Sequence, residues 1–402
     1  MAGDPIRLGP IRLGVAGLGR AFMLMLPTLA RDPRLAVLAC ADPRAEARAR
    51  FTEDFPGARA HGTVEALCAD PSIEAIYVAT PHQFHVADVR AASAAGKHVL
   101  VEKPMALALA DCQAMVDAAR GAGIHLIVGH SHSFDAPYLR AREMIRSGEH
   151  GAIRMITAVN FTDYLYRPRR PEELDTAQGG GAVFSQAPHQ IEVVRLLAGR
   201  PARSIRAAAT VWDRARGTEG AYNAIIDFGD GLSATLTYNG HGHFDTDEFQ
   251  DWTGEMGLPR DPAAYGTARA ALRHVTSPEE EAALKERRAY GRGPGATEAR
   301  AAPPPPAYNH FGLVLASCER ADLRPTPRGV AVYADETRRF DALPAPGVPR
   351  AEVIDELEAA LRGNTPPLHS GEWGMATAEI VLALLQSARS GREVRLHHQG
   401  AA

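Results

Sequence analysis

Short apolar runs alternate with longer amphipathic stretches through the N-terminal part of the chain. The runs are too short and too apolar for surface helices, so we expect buried strands of a parallel sheet joined by helices. Gly96 and Gly123 stand where two of these helices would end, because a left-handed residue commonly closes a helix. The predicted strands are Arg12–Ala16, Ala36–Ala41, Ala75–Ala79, His98–Glu102 and His125–Gly129, and the predicted helices include Phe84–Ala95 and Ala108–Ala122.

The pattern changes after Gly151, where the apolar runs are longer and rich in β-forming residues. Together with the Gly229-Asp230-Gly231 turn, they predict a mostly antiparallel sheet. The segment 247–306 is rich in charge, Gly and Pro, and we interpret it as a peripheral insertion with one helix near Glu279–Ala289. The β-rich runs are Ile153–Phe161, Ser204–Trp212 and Ala221–Asn239, and the C-terminal helices are Ala351–Leu361 and Gly371–Ser390.

Length and composition set the class of the protein. A chain of 402 residues is long for one hydrophobic core, so we expect two domains, residues 1–130 and 131–402. The first is predicted to be α/β around a parallel sheet, and the second α+β around a large, mostly antiparallel open sheet. A formal net charge of −4 offers no field that would attract nucleic acid or an anionic membrane. The four scattered cysteines, and the lack of a signal sequence at Met1–Pro10 or a long apolar segment, favour a cytoplasmic protein with reduced thiols.

The first predicted strand runs into the loop Gly17-Leu18-Gly19-Arg20. Missing side chains there would let backbone N–H groups approach a pyrophosphate at the start of the next helix, although a tight strand-to-helix turn would look the same. Phe22 replaces the third small residue of the usual fingerprint. Asp42 ends the second strand at the offset where a carboxylate binds a ribose 2′-hydroxyl, and it would also suit a helix N-cap. We therefore expect a Rossmann domain that binds NAD. NADP is also possible, because Arg44 could offset the repulsion between Asp42 and a 2′-phosphate.

Two further loops follow strand ends, where ligands bind in open α/β sheets. One is Thr80–His85, and the other is Glu102-Lys103-Pro104, a short and stiff connection. A buried Lys103 with a lowered pKa would accept a proton from a substrate hydroxyl during hydride transfer, whereas a surface Lys103 would simply pair with Glu102. The residues expected to border the cofactor are Gly17, Leu18, Gly19, Arg20, Asp42, Arg44, Thr80, Pro81, His82, His85, Glu102 and Lys103.

These loops together resemble the glucose-fructose oxidoreductase and inositol dehydrogenase family, also called Gfo/Idh/MocA. The Glu-Lys-Pro triplet is the most specific mark, and the resemblance continues through Phe134–Tyr138 and Gly179–Val183 to Leu382–Val394. It implies a nicotinamide cofactor and hydride transfer at a secondary alcohol, with Lys103 nearest the reacting hydroxyl. It also implies an open sheet that often joins copies into a homodimer or homotetramer.

Two departures from the family pattern fall near the expected substrate pocket. The family's second catalytic motif has an Asp four residues before a His, and here Ser185 replaces the Asp while His189 is present. By this resemblance His189 is an acid/base candidate, with a purely structural histidine as the alternative. The second departure is His130-Ser131-His132-Ser133, where many relatives carry Asn and Arg. We therefore expect a specialised substrate pocket.

The segment Tyr164–Pro171 contains three arginines and leads toward the Gly179-Gly180-Gly181 triplet. Arginine forks suit carboxylates, so these side chains favour an anionic substrate, with a solvated basic turn as the alternative. The local sequence looks like the family branch that oxidises phthalate 4,5-cis-dihydrodiol to 4,5-dihydroxyphthalate in aromatic catabolism. The residues expected at the substrate are Lys103, His132, Arg167, Arg169, Arg170, Ser185 and His189, with Lys103 and His189 as the catalytic pair.

Three alternatives remain open at this point. A sugar, inositol or sugar-acid dehydrogenase of the same family would use the same Lys and His. A non-catalytic NAD-binding sensor would account for the loss of the Asp at Ser185. A metal site could form from His241, His243 and Asp245, which alternate along one strand, but the proposed chemistry needs no metal and we expect none.

Overall fold

The computed structural model of the protein describes residues 9–129, 131–287 and 289–400. The predictions made for His130, and for the first eight residues of Met1–Pro10, lie outside these residues. No helix in the described ranges combines the length and the apolar character that crossing a membrane requires.

The N-terminal domain is a six-stranded parallel sheet with helices on both faces. All the strands predicted here are present, and one short additional strand, β3, was not predicted. The arrangement confirms the predicted Rossmann domain. The strands are β1 (Ile11–Ala16), β2 (Leu35–Ala41), β3 (Arg59–His61), β4 (Ala75–Val78), β5 (His98–Val101) and β6 (Leu126–Val128), and the helices are α1 (Arg20–Arg31), α2 (Ala45–Asp54), α3 (Val64–Cys68), α4 (His85–Ala94) and α5 (Leu109–Ala122).

The strand order β3-β2-β1-β4-β5-β6 places a topological switch between β1 and β4. Ligands bind at such a switch, outside the carboxyl ends of the strands. The loops after β1, β4 and β5 all leave from this edge, because the strands are parallel. They are the three loops that sequence analysis selected.

The second sheet has nine strands in the order β14-β13-β12-β11-β7-β10-β9-β8-β15. Its pairs are antiparallel except for β7 with β10, which confirms the predicted mostly antiparallel sheet. The four consecutive strands β11 to β14 were not predicted individually. The strands are β7 (Ile153–Phe161), β8 (Ser204–Thr210), β9 (Ala221–Gly229), β10 (Leu232–Asn239), β11 (Leu313–Cys318), β12 (Ala321–Thr326), β13 (Gly329–Ala334), β14 (Arg338–Ala342) and β15 (Val394–Arg395).

One face of this sheet packs against helices, and the other is open. Inward side chains such as Ile156 and Leu236 join the main core with residues of the covering helices. On the opposite face, Met155 and Ile225 remain 47% and 52% exposed. The helices of the remaining chain are α6 (Ala136–Arg146), α7 (Gly181–Ser185), α8 (Ala187–Ala198), α9 (Thr267–Leu272), α10 (Pro278–Glu286), α11 (Ala296–Ala301), α12 (Ala351–Gly363) and α13 (Gly371–Ser390).

The segment 247–306 contacts both domains. It forms the short helices α9, α10 and α11, where one helix was predicted. The ring of Tyr290 packs edge-on against Phe22 of α1, with centroids 4.8 Å apart, and its hydroxyl donates to Asp54 at 2.6 Å. On the other side, Glu281 pairs with Arg216 at 2.7 Å. The segment therefore bridges the Rossmann domain and the second domain.

Candidate active site

The loop after β1 approaches the loop after β4 very closely. Gly17 has φ +87°, and a Cβ there would lie 2.7 Å from the amide nitrogen of Thr80. Gly19 begins α1 with no side-chain cap, and a Cβ there would meet nothing within 4 Å. Arg20, the first residue of α1, is exposed. The loop thus presents open space before uncapped helical N–H groups, which fits the pyrophosphate of a dinucleotide.

Asp42 is buried and already has several hydrogen-bond donors. Its carboxylate accepts from the Leu18 amide at 2.8 Å, and from the Arg44 amide and Nε at 2.9 and 3.0 Å. Arg44 also donates to the Leu18 carbonyl at 2.8 Å and pairs with Glu286 at 3.3 Å. Asp42 therefore holds the glycine loop through the Leu18 amide, and Arg44 is held by the carboxylates of Asp42 and Glu286.

The loop Thr80–His85 is tied to its neighbours by its side chains. Thr80 donates to Asp88 at 2.5 Å, and the buried His85 ring lies 3.0 Å from the Thr80 carbonyl and 3.2 Å from the Met105 carbonyl. Burial lowers the pKa of His85. His85 thus joins the loops after β4 and β5, while Pro81 remains exposed.

His82 connects the same loop to the second domain. Its Nε2 lies 2.9 Å from the Gln178 carbonyl, and a Cβ at Gly179 would lie 2.6 Å from that nitrogen. Glycine is favoured at position 179 chiefly by its left-handed backbone, with φ +80°, and a side chain there would also displace the His82 ring. The Gly triplet and the loop after β4 meet at the domain boundary.

Lys103 lies at the centre of the arrangement. Its Nζ donates to the Ser185 carbonyl at 3.0 Å. Burial lowers the pKa of the amine, and Glu102, Glu255 and Glu192 oppose that effect. Tyr77 donates to Glu102 at 2.6 Å and so fixes the adjacent carboxylate. An amine with a lowered pKa can act as a proton acceptor near neutral pH.

A cluster of aromatic rings surrounds His189 of α8, the helix that follows Ser185. The ring centre of His189 lies 4.8 Å from that of His132 and 5.0 Å from that of Phe311. His132 Nδ1 lies 2.7 Å from Asp135, and its Nε2 lies 3.5 Å from Glu255. Burial alone would lower the pKa of His132, but Asp135 and Glu255 outweigh burial and raise it to about 9. His132 is therefore a buried cation beside the catalytic candidates at neutral pH.

The three predicted arginines have different surroundings. Arg167 Nε donates to Asp163 at 3.1 Å, and its Nη1 lies 3.9 Å from Glu255. Arg169 stacks on Tyr164 at 3.7 Å and donates to the Tyr164 carbonyl, so it braces its own loop. Arg170 is 44% exposed and pairs with Glu172 at 3.2 Å. Of the three, Arg167 alone lines the adjacent cavity.

That cavity has a volume of about 270 Å³ and is unusually rich in charge. Burial would raise the pKa of Glu255, but His132, Arg167 and His310 lower it to about 2. Arg260 pairs with Asp247 at 2.8 Å, and His310 Nε2 lies 2.7 Å from the Thr253 carbonyl. A larger open cavity of about 520 Å³ lies beside α13 and has Arg389 as its one charged lining residue. Neither Lys103 nor His189 lines the smaller cavity, which adjoins the candidate site through Glu255, the carboxylate near His132. The smaller cavity is lined by Asn160, Thr162, Arg167, Asp247, Gly254, Glu255, Met256, Leu258, Pro259, Arg260, His310 and Gly312.

Several of these residues were missed by sequence analysis. Glu255 and Arg260 belong to the segment interpreted as peripheral, which has no regular periodicity. Arg350 was also missed; it is buried at the start of α12 with φ +55°, and it donates to the Leu24 carbonyl. The metal site considered for His241, His243 and Asp245 does not form. His241 stacks on Trp212 at 4.9 Å, and Asp245 pairs with Arg260. Within the described ranges, no group of three or more His, Cys, Asp or Glu residues is arranged to hold an ion.

Comparison with known families matches both domains. Residues 11–130 match the NAD-binding Rossmann-fold domain of the GFO_IDH_MocA oxidoreductase family, and residues 138–253 match the GFO/IDH/MocA C-terminal domain. The chain belongs to the Gfo/Idh/MocA family. The resemblance inferred from the Gly-Leu-Gly and Glu-Lys-Pro loops is confirmed, and so is the class of oxidoreductase with a nicotinamide-binding Rossmann domain.

Individual members of the Gfo/Idh/MocA family resemble the whole chain. It is 46% identical to a 1-carboxy-3-chloro-3,4-dihydroxycyclohexa-1,5-diene dehydrogenase of Comamonas testosteroni, over 94% of this chain and 95% of that protein. A solved candidate dehydrogenase of Bordetella bronchiseptica RB50 is 38% identical, with a TM-score of 0.89 and coverage of 96% and 100%. The WlbA dehydrogenase of Bordetella pertussis, solved with NADH and UDP-GlcNAcA, shares the fold at 20% identity, a TM-score of 0.66 and coverage of 96% and 99%.

Proposed function

We propose that this Gfo/Idh/MocA oxidoreductase dehydrogenates a carboxylated cyclohexadiene cis-diol to the corresponding catechol with NAD. Phthalate cis-4,5-dihydrodiol, which would yield 4,5-dihydroxyphthalate, is the specific substrate that we propose. The observation that carries the proposal is the pair of cations, His132 and Arg167, on either side of Glu255 next to the catalytic candidates. The C. testosteroni relative bears the name of a dehydrogenase for a carboxylated dihydroxycyclohexadiene, which is the same chemical class.

A substrate carboxylate would have to displace the carboxylates that already contact these cations, which are Asp163 and Glu255 at Arg167 and Asp135 and Glu255 at His132. Glu255 is in loose contact with both cations, at 3.5 Å from His132 and 3.9 Å from Arg167. Charge-assisted hydrogen bonds are normally shorter, at about 2.7–2.9 Å. A substrate carboxylate that approached Arg167 more closely would form the stronger contact. Glu255 would then be free to accept a hydrogen bond from a substrate hydroxyl.

Lys103 and His189 would act on the diol. The amine of Lys103 accepts the proton of the reacting hydroxyl, because burial lowers its pKa and so favours the neutral form that can take up a proton. His189 and the Ser185 hydroxyl orient the second hydroxyl. The Ser185 carbonyl holds the amine at 3.0 Å, so Lys103 is positioned before substrate binds.

Bound NAD would supply the hydride acceptor. Gly17, Leu18, Gly19 and Arg20 would hold the pyrophosphate, and Asp42 would face the adenosine ribose. Because Arg44 is already paired with Asp42 and Glu286, it is poorly placed to neutralise a 2′-phosphate. This favours NAD over NADP. Of the remaining predicted residues, Thr80, His82, His85 and Glu102 would shape the wall behind the nicotinamide.

The test is the absorbance of reduced nicotinamide with a graded set of alcohols. The set contains phthalate cis-4,5-dihydrodiol, a monocarboxylated cis-dihydrodiol, the uncarboxylated cis-benzene dihydrodiol, myo-inositol and simple aldoses. We expect kcat/KM to fall across the three dihydrodiols as each carboxylate is removed, and to be lowest for myo-inositol and the aldoses, whose oxidation does not produce an aromatic ring. Turnover of polyols alone would instead support the sugar or inositol dehydrogenase, and no turnover with any donor would support the non-catalytic sensor.

The open face of the nine-stranded sheet supports the proposal that copies associate. Met155 and Ile225 lie on that face with about half of their surface exposed. A homodimer or homotetramer in which this face is shared would remove these apolar side chains from water.

A further inference from the structure

Helix α10 brings a carboxylate of the segment 247–306 to the adenosine end of the predicted cofactor site. Glu286, the last residue of α10, lies 3.3 Å from Nη1 of Arg44. Arg44 is the N-cap residue of α2 and follows Asp42 at the end of β2. The two partners are 242 residues apart in the chain. The contact is therefore made by the folding of this segment onto the Rossmann domain.

The guanidinium of Arg44 has an oxygen partner at each of its three nitrogens. Nε donates to Asp42 at 3.0 Å, Nη2 donates to the Leu18 carbonyl at 2.8 Å, and Nη1 pairs with Glu286. In dinucleotide-binding folds, an arginine beside the acidic residue after β2 accommodates the 2′-phosphate of NADP. The Arg44 side chain is 28% exposed, so a ligand can reach it. Its partners, rather than burial, keep it from a phosphate.

The three partners of Arg44 differ in what else they do. Asp42 also accepts from the Leu18 amide at 2.8 Å, so its removal would loosen the glycine loop itself. Leu18 contributes a main-chain carbonyl, which a substitution does not change. Glu286 contributes a charge from another segment, and changing it leaves both of these hydrogen bonds in place. Glu286 is thus the partner that can alter the cofactor preference without altering the loop.

Helix α10 is anchored on the second domain. Both carboxylate oxygens of Glu281 accept from Arg216 Nη1, at 2.8 and 2.7 Å, and these side chains are 12% and 7% exposed. Glu281 also accepts from the Arg169 amide at 2.7 Å. Charge-assisted contacts with so little exposure are only weakly screened by solvent. They fix the helix, so Glu286 at its end is held against Arg44.

A second arginine lies at the same corner of the Rossmann domain. Arg48 Nη1 donates to the carbonyls of Asp42 and Pro43 at 2.7 and 2.9 Å. These partners are main-chain oxygens, which do not neutralise its charge. A test of Glu286 must therefore distinguish the effect of releasing Arg44 from an effect at Arg48.

We propose that Glu286 is a positioning residue that sets the preference for NAD over NADP, by holding Arg44 on a carboxylate and away from a 2′-phosphate. The inference rests on the proposed binding of NAD with its adenosine ribose at Asp42. A 2′-phosphate would have to displace Glu286 from Arg44 and would then lie beside a carboxylate that repels it. A ribose 2′-hydroxyl does neither. A segment outside the Rossmann domain thus contributes to the choice of cofactor.

Calorimetric titration of the full chain with NADH and NADPH tests the inference without any alcohol, because the two cofactors differ only in the 2′-phosphate. The measured quantity is the ratio of the Kd for NADPH to the Kd for NADH. In Glu286→Gln we expect this ratio to fall by about 3- to 10-fold, because one partly exposed ion pair and one repelling charge are removed. The Kd for NADH should change little.

The matched control is Glu298→Gln. Glu298 is another carboxylate of the segment 247–306, and it pairs with Arg50 of α2 at 3.2 Å. This substitution should leave the ratio unchanged. An unchanged ratio in Glu286→Gln, or an equal fall in Glu298→Gln, would overturn the inference.

The route through Arg44 is tested by comparing Arg44→Gln with the double variant Arg44→Gln/Glu286→Gln. Without the guanidinium there is nothing for Glu286 to hold, so we expect the second substitution to leave the ratio nearly unchanged. A fall as large as that in the wild-type background would show that the phosphate meets Arg48, or is repelled by Glu286 directly, and would overturn the role of Arg44.

Failure of this inference and failure of the proposed function give different results. An unchanged ratio in Glu286→Gln overturns the inference and leaves the oxidation of the diol intact. A wild type that oxidises no diol, but whose ratio falls in Glu286→Gln, loses the proposed substrate and keeps the role of Glu286. A wild type that binds NADPH more tightly than NADH, or binds neither cofactor, would overturn both the proposed use of NAD and this inference.

Discussion

The two ends of the site hold a carboxylate in different ways. At the cofactor end, Asp42 has three donors at 2.8–3.0 Å, all from its own and the adjacent loop. At the substrate end, Glu255 is held at 3.5 and 3.9 Å by side chains from distant segments. Both oxygens of Asp42 accept short hydrogen bonds before any ligand binds, whereas the contacts of Glu255 are longer. The cofactor end is thus preorganised, whereas the substrate end must rearrange its charges.

Lys103 lies between the two ends, and its removal should have the largest effect. Lys103→Met keeps the length of the side chain and removes the proton acceptor. We expect kcat to fall by about 10³-fold, within the range of general acid–base catalysis. NAD affinity, followed by quenching of protein fluorescence, should remain near wild type because Gly17 and Asp42 are untouched. A loss of NAD binding as large as the loss of kcat would show that Lys103 supports the cofactor end instead.

Arg167 tests the substrate end with a matched control. Arg167→Gln removes a cation that lines the cavity, and Arg170→Gln removes a neighbouring arginine that is 44% exposed and lies outside the cavity lining. We expect KM for the dicarboxylated diol to rise on the order of 10- to 100-fold in the first variant, corresponding to one charged hydrogen bond. The second variant should change it little. Equal effects of the two substitutions would contradict a specific carboxylate contact at Arg167.

The pH dependence of substrate binding is the smallest expected effect and concerns His132. Its pKa is raised from 6.5 to about 9 by Asp135 and Glu255 against the effect of burial. The positive charge is therefore present at neutral pH and is lost as pH rises through about 9. We expect KM for the carboxylated diol to rise by a few-fold above that pH, as one charged contact weakens.

The control for this prediction is His132→Gln, in which the rise of KM near pH 9 should be absent. Other groups face the same position: His189 and Phe311 contact the ring, and Arg167 acts on the shared Glu255. The pKa of Arg167 is raised further by Glu255 and Asp163 despite burial, so its charge persists across this range. An unchanged pH profile in the variant would assign the rise to another group.

The cofactor end could be predicted from sequence because its parts are local. Gly17 and Gly19 lie in one strand-to-helix turn, and the Asp42 carboxylate binds the Leu18 amide across adjacent strands. The spacing of apolar residues and the glycines of the turn are sufficient to predict such local features from sequence. The parallel order of the sheet and the position of Lys103 at a strand end follow from the same signals.

The substrate end could be predicted only in part, because long-range packing assembles it. Glu255 and Arg260 lie in a segment without periodicity, yet they line the cavity with Arg167. Conversely, Arg169 and Arg170 are adjacent to Arg167 in the chain but bind Tyr164 and Glu172. No spacing rule distinguishes an arginine that faces a cavity from its neighbours. The direction of each side chain depends on residues far along the chain.

Phe22, which stands where the usual fingerprint has a small residue, couples the glycine loop to the segment 247–306 through its packing. Its ring is fully buried between Phe51 and Tyr290, so the helix after the glycine loop and the bridging segment 247–306 form one packing unit. Deleting the segment would remove Tyr290 from one side of the Phe22 ring, and a glycine at position 22 would leave a void beside Tyr290. The two features are therefore expected to be gained or lost together, and a transplant of the pocket into another scaffold must carry both.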